Sequence, residues 1–196
     1  MLIYSIVKYK GNTYEISLGN DEKVYINGEI ILQYGLKTNM EISVERLNEV
    51  IHADTFRKAK ERALYLLDYK DYSYVQLYEK LEANYPQDIC LEVLSNLVNI
   101  GIIDDNRYAK NLAERLILGK KYGSYRAIKE LKLKGIDDDL AQEIVSKYED
   151  TELERLESLI NGKYARYLND DKGINKVKNA LVRLGYSYDI INQVLD

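Results

Sequence analysis

One cysteine, one histidine, one proline, one phenylalanine and no tryptophan are found in a chain of 196 residues. With Cys90 alone no intrachain disulfide framework exists, and its setting in the apolar run ICLEVL suits a small buried hydrophobe better than a reactive thiol. With His52 alone, multi-histidine metal centres are ruled out. No run of 18 or more apolar residues occurs, and MLIYSIVKYKGN turns polar too soon for a secretory signal, so a cytoplasmic location without membrane contact is expected. Neither GKKYG at 119–123 nor NGK at 161–163 has phosphate-loop spacing, and no dinucleotide fingerprint follows a strand. Pro86 lies just past Asn84, where a helix has already stopped, and adds no functional signal. The inventory argues against an enzyme and implies no cofactor and no metal.

What is present is a repeat. Gly123/Gly173, Leu131/Leu181, Gly135/Gly185, Leu140/Ile190, Ile144/Val194 and Val145/Leu195 are each 50 residues apart. With one residue of slippage an earlier copy joins: Ser73, Leu77, Asn84, Tyr85, Ile89, Val93 and Leu94 stand 51 before Ser124, Ile128, Gly135, Ile136, Leu140, Ile144 and Val145. Each copy ends in a helix with apolar residues at i, i+4 and i+5, preceded by a helix closed by Asn84, Gly135 or Gly185, residue types suited to a left-handed C-cap. The expected fold is mainly α: three tandem three-helix repeats forming an elongated curved body, with a small N-terminal β-rich segment. Such a stack presents a long working surface and suits binding to another large object.

The N-terminal part differs in texture. Leu2–Tyr9, Tyr14–Leu18, Val24–Ile26 and Glu29–Tyr34 are rich in β-branched and aromatic residues and are separated by KGN, GNDE and NG, where glycine and asparagine serve tight turns. A β-meander is expected, ended by Gly35. Ser43 reads as the N-cap of a helix carrying Leu47, Val50 and Ile51; a second helix from Thr55 to Tyr69 places Phe56, Ala59, Ala63, Leu66 and Leu67 on one stripe. The implied organisation is a β-rich segment at 1–42, a connecting helix at 43–54, and repeats at 55–103, 104–149 and 150–196. Asp104 and Asp105 precede one helix, the DDD run at 137–139 another, and Thr151 with Glu154 fits a capping box before a third. First helices keep the common register least well, as variable loops before Tyr72, Gly123 and Gly173 would explain.

Charge is uneven. The formal net charge is −4, yet Arg107, Lys110, Arg115, Lys120, Lys121, Arg126, Lys129, Lys132 and Lys134 face only Glu114 and Glu130 between 107 and 134, a local net charge of +7. A basic centre in an acidic molecule orients it on a polyanionic or acidic partner, although a solvated helix face explains the same residues. Tyr108, Tyr122 and Tyr125 interleave with these cations, as on a surface that stacks single-stranded nucleic acid. Nineteen tyrosines against one phenylalanine also suit a protein that simply uses tyrosine for core and rim. The Asp104/Asp105 pair reads as capping before it reads as a metal or hydrolytic site.

Taken together, IGIIDDNRYAKNLAERL, YGSYRAIKELKLKGIDDDLAQEIV and KVKNALVRLGYSYDIINQVL resemble the RecX regulatory proteins of bacteria. The resemblance covers nearly the whole chain, including a β-rich extension followed by IILQYGLK. The family motifs fall on Asp104, Asp105, Tyr108, Ala109, Gly123, Ile128, Leu131, Lys134, Gly135 and Ile136. Two positions depart: Tyr72 precedes Ser73 where an arginine is usual, and Asn84 replaces a glycine, so the first repeat is expected to carry less binding charge. The resemblance implies a monomeric modulator of the RecA recombinase. It implies binding in the groove of the RecA filament, with single-stranded DNA contacted there, so that extension is blocked or disassembly promoted. The expected result is lower ATPase, strand-exchange and coprotease activity and a weaker SOS response. The runner-up is an autonomous DNA-binding protein built of helix-turn-helix-like modules.

Overall fold

A computed structural model describes residues 1–19 and 21–195. Residue 20, expected in a turn, and residue 196, the expected end of the third repeat, lie outside the described residues. The chain divides into two units, Met1–Lys70 with Tyr78–Asn99, and Asp71–Leu77 with Ile100–Asp196.

In the first unit, strands β1 (Ile3–Lys10), β2 (Thr13–Leu18) and β3 (Lys23–Asn27) pair antiparallel in the order β1-β2-β3, with Ile6 opposite Ile16 and Ile16 opposite Val24. Ile3, Ile16, Leu18 and Ile26 bury one sheet face against Ile30 and Ile31 of α1 (Gly28–Tyr34) and Leu47 and Val50 of α2 (Val44–Tyr69). The fourth expected strand is therefore a helix. EIILQY is apolar enough for either state, and its ends decide. The Asn27 side chain accepts from the Glu29 amide at 2.9 Å, and the Gly35 amide closes the last turn on the Ile31 and Leu32 carbonyls.

The two helices expected on either side of residue 54 are one helix of 26 residues. Ser43 caps it as expected, accepting from the Arg46 amide at 3.1 Å. Thr55 does not start a new helix; its hydroxyl donates to the Ile51 carbonyl at 2.7 Å, the back-bond of a mid-helix threonine. Beside it Asp54, 2% exposed, accepts from the Asn27 amide at 2.9 Å and pairs with Lys58, tying the end of β3 to the helix. Helix α4 (Gln87–Asn99) packs on α2.

In the second unit, α5 (Asp105–Glu114), α6 (Ser124–Lys132) and α7 (Asp138–Ser146) enclose Ala109, Ala113, Ile117, Ala127, Leu131, Ile136, Ile144 and Val145. Helices α8 (Glu152–Leu159), α9 (Asp171–Leu184) and α10 (Tyr188–Leu195) enclose Leu156, Ile160, Val177, Leu181, Tyr186 and Ile191. Both α5 and α8 run into one wider π-helical turn, Arg115–Gly119 and Ile160–Tyr164, and the latter continues into a tight 3₁₀ turn at Ala165–Tyr167. The first turn of α3 (Tyr74–Glu82) also belongs to this unit.

Two helix-end expectations are corrected. Residues 149–151 already wind as a 3₁₀ turn, so the Glu152 amide bonds the Glu149 carbonyl and the Thr151–Glu154 capping box does not form. The Thr151 hydroxyl instead donates to the Tyr148 carbonyl at 3.2 Å. Gly173 lies in the first turn of α9, where Asp170 caps its amide at 2.6 Å. Asn84 is not left-handed, whereas Gly135 and Gly185 are, at φ +80° and +93°.

Candidate functional site

The repeated glycines build a junction. A Cβ on Gly135 would come within 2.5 Å of the Val75 Cβ in α3, and one on Gly185 would meet the Arg126 backbone in α6, with the Cα at 2.9 Å. The C-cap of the second helix of one repeat thus sits on the first turn of the second helix of the preceding repeat. Asn84 closes α3 in the first repeat, which has no preceding repeat for its C-cap to rest on.

Hydrogen bonds repeat the same pattern. The Ser73 hydroxyl donates to the Lys134 carbonyl at 2.5 Å; the Gly123 amide donates to the Leu184 carbonyl at 2.9 Å and the Tyr125 amide to the Gly185 carbonyl at 3.2 Å. The second helices of the first two repeats, α3 and α6, are each capped at their start by an acid from the next repeat. Asp105 accepts from the Tyr74 amide at 2.8 Å, and Glu152, itself buried, accepts from the Ser124 amide at 2.7 Å and the Ser124 hydroxyl at 2.9 Å. Asp104 by contrast caps its own helix at the Arg107 amide, 3.0 Å away. Burial pushes the Asp105 carboxyl above the usual range, partly offset by the Tyr74 amide. The acidic pair is therefore used up in capping two different helices, and no group of three metal-ligating side chains forms among the described residues.

The other motif residues build the same framework. Ala109, Leu131 and Ile136 are core, Ile128 packs on that core, and Tyr108 is buried with its hydroxyl donating to Gln76 at 3.0 Å. Asp137 caps α7 at the Asp139 amide.

The nine basic residues are not equivalent. Arg107 reaches back to the Ile102 carbonyl at 3.0 Å, Arg115 to the Asn111 carbonyl at 3.3 Å, and Lys132 pairs with Asp138 at 2.8 Å, holding that carboxyl below its usual range. Arg126 donates to the Arg183 carbonyl at 3.0 Å, lies 3.6 Å from Glu130 and stacks 4.0 Å from the centre of the Tyr122 ring. Lys120 lies 5.6 Å from the same ring. Lys121, at φ +58°, gives its carbonyl to the buried Tyr186 hydroxyl at 3.0 Å. That leaves Lys110, Lys120, Lys121, Lys129 and Lys134 with no carboxylate within ion-pair distance among the described residues.

The structure thus brings Lys120, Tyr122 and Arg126 together at the α5–α6 corner and places Lys110 on α5 and Lys129 on α6 as exposed charge. A planar guanidinium on one ring and an ammonium beside it form a cationic, partly aromatic patch whose chemistry suits phosphate or carboxylate.

Sequence reasoning missed Glu152 and Ser73, whose partners are distant in sequence. It also missed a groove lined by Lys163, Tyr164, Arg166, Tyr167, Lys176 and Val177. Its signal, KYARY, sits at the end of a first helix, where the repeat register is weakest.

Models of the RecX first, second and third three-helix domains match residues 59–97, 104–144 and 150–195. The chain is 30% identical over 200 residues to the regulatory protein RecX of Clostridioides difficile strain 630, covering all of this chain and 94% of that protein. It is 28% identical to that of Streptococcus sanguinis strain SK36, over 93% of this chain and 71% of the relative. Among solved structures, RecX from Lactobacillus salivarius matches 73% of this chain and 96% of its own at 28% identity and a TM-score of 0.68. Another RecX crystal structure covers 98% of both chains with a TM-score of 0.75 at 22% identity, a likeness of fold.

Proposed function

Because the chain belongs to the RecX family of regulatory proteins, we propose that it restrains a RecA-type recombinase by docking its second-repeat basic surface in the groove of the RecA filament on single-stranded DNA. One observation carries the choice of surface: the Lys120–Tyr122–Arg126 cluster with free lysines around it, in a chain whose net charge is −4. Such a patch meets acidic recombinase surface or the DNA backbone inside the groove. The docked protein acts as a monomer. Inhibition requires that it bind a filament arrangement that is less active, or less able to grow, more tightly than the active one. ATP hydrolysis, strand exchange, coprotease activity and the SOS response then all fall, by blocked extension or by disassembly.

The test is RecA ATPase on single-stranded DNA with this protein titrated in. Loss of activity well below one inhibitor per RecA protomer indicates end capping, and loss near equivalence indicates groove coating. Lys120→Glu with Lys129→Glu, both exposed and outside the junction, is expected to weaken inhibition while the far-ultraviolet circular dichroism stays unchanged. Full inhibition by this folded variant removes the surface from the mechanism.

A further inference from the structure

The third repeat carries a second cationic and aromatic step, away from the 107–134 stretch. Its α8 leaves the α-helical path in the π-turn at Ile160–Tyr164 and the 3₁₀ turn at Ala165–Tyr167, before α9 returns. The bend opens a groove of about 270 Å³ whose lining includes three cations, two tyrosines and one valine. Lys163 lies 5.3 Å from the centre of the Tyr164 ring and Arg166 lies 4.8 Å from that of Tyr167. Neither these two cations nor Lys176 has a carboxylate within ion-pair distance among the described residues. Tyr164 is anchored by packing on the Leu156–Val177 core, whereas Tyr167 is 45% exposed. The same chemistry recurs in the second repeat, where the π-turn at Arg115–Gly119 leads straight to Lys120 and Tyr122. Two repeats therefore place a cation on a tyrosine at the end of the first helix, although the two segments share no sequence register.

We propose that the groove between the α8 exit and α9 binds a segment of single-stranded nucleic acid, with Lys163, Arg166 and Lys176 on successive phosphates and Tyr167 stacking a base. Three unpaired cations in a net-acidic chain call for a polyanion. The aromatic lining separates the candidates: a base offers a π-face to Tyr167 where an acidic peptide offers none, and duplex bases are already stacked on each other. A free nucleotide or phosphate is the weaker fit, since the groove is open and is smaller than the roughly 300–1,000 Å³ of an enclosed ligand site. This site needs no recombinase and stands or falls apart from the filament reading.

The experiment uses the full chain without RecA and follows the anisotropy of a fluorescein-labelled oligo-dT as salt is varied. Wild type is expected to bind at low salt with a log–log salt slope of about −2, the value for three phosphates on a single strand. Lys163→Ala with Lys176→Ala should flatten that slope by about 1.4. Tyr167→Ala should weaken binding at least about fivefold while Tyr167→Phe restores it. Circular dichroism checks that each variant is folded. The proposal is overturned if wild type does not bind, or if Lys120→Glu with Lys129→Glu abolishes binding that the groove variants leave intact. It is equally overturned if duplex DNA competes as well as oligo-dT, or if dTMP or inorganic phosphate competes as well at equal phosphate concentration.

Discussion

Gly185→Ala isolates what holds the second repeat to the third. Two penalties act there. The backbone sits at φ +93°, where a side chain costs about 1–2 kcal/mol. The added methyl would also be driven into the Arg126 backbone, which has no rotamer with which to yield, an overpacking penalty of about 1–3 kcal/mol. Gly101 separates the two: its φ is +71°, yet a Cβ there meets nothing within 4 Å. Gly101→Ala is therefore expected to cost only the conformational part, about 1–2 kcal/mol, and Gly185→Ala the sum, about 2–5 kcal/mol. At roughly 2–4 °C per kcal/mol for a chain of this size, the melting temperature falls by about 2–8 °C in the first variant and about 4–20 °C in the second. Urea unfolding followed by circular dichroism gives both values. Equal destabilisation within about 0.5 kcal/mol would show that close approach of the repeats contributes nothing, and the junction argument would fail.

Three other outcomes follow from the same contacts. In the filament assay, the Lys120→Glu, Lys129→Glu variant should require more protein than wild type for half-inhibition of RecA ATPase, whereas Lys147→Glu, at a lysine already paired with Glu143 at 2.8 Å, should not. Asp105 has a native pKa raised by burial, so its favourable contribution is complete below the ordinary value of 3.8 and is lost as pH rises through the raised one. Asp105→Asn keeps an acceptor for the Tyr74 amide and cannot ionise; its stability relative to wild type should thus increase with pH above 3.8, and a difference that is flat in pH would refute the burial argument. Cys90 is buried, with its thiol pushed up by desolvation and by Glu82 and Asp88, so a thiol reagent at neutral pH should label it only after denaturant is added.

Periodicity made the helical repeats legible, because Leu131/Leu181 and Ile144/Val194 fill equivalent core positions at a fixed spacing. Glycine marked the junctions for the same reason: at Gly135 and Gly185 a neighbouring repeat presses on the C-cap. What failed was local. EIILQY carries a strand-like composition, and only the Asn27 cap and the turn at Gly35 make it a helix. Thr55 looks like a helix start until the buried Asp54 is seen to bind the sheet edge from the middle of α2. The basic cluster was visible as composition, but its division was not, since whether Lys132 or Lys129 is free depends on where Asp138 falls across a turn. The groove in the third repeat was hidden because π-helical and 3₁₀ turns have no apolar period of their own.

Arg126 shows why binding and cohesion cannot be read from the same substitution. Its backbone is the surface on which Gly185 rests, its guanidinium bonds the Arg183 carbonyl from the third repeat, and its plane covers Tyr122 beside Lys120. Reversing its charge removes all three at once, so lost inhibition would report a loosened junction as readily as a lost contact with a partner. Lysine at this position keeps the positive charge but not the flat, five-donor fork that satisfies carbonyl, carboxylate and ring together. The junction otherwise uses backbone amides, carbonyls, acids and serine hydroxyls: Tyr74 with Asp105, Ser124 with Glu152, Gly123 with Leu184, Ser73 with Lys134. No lysine side chain is among these contacts. That division lets the exposed cations of the second and third repeats be replaced without disturbing the contacts that set the spacing between repeats.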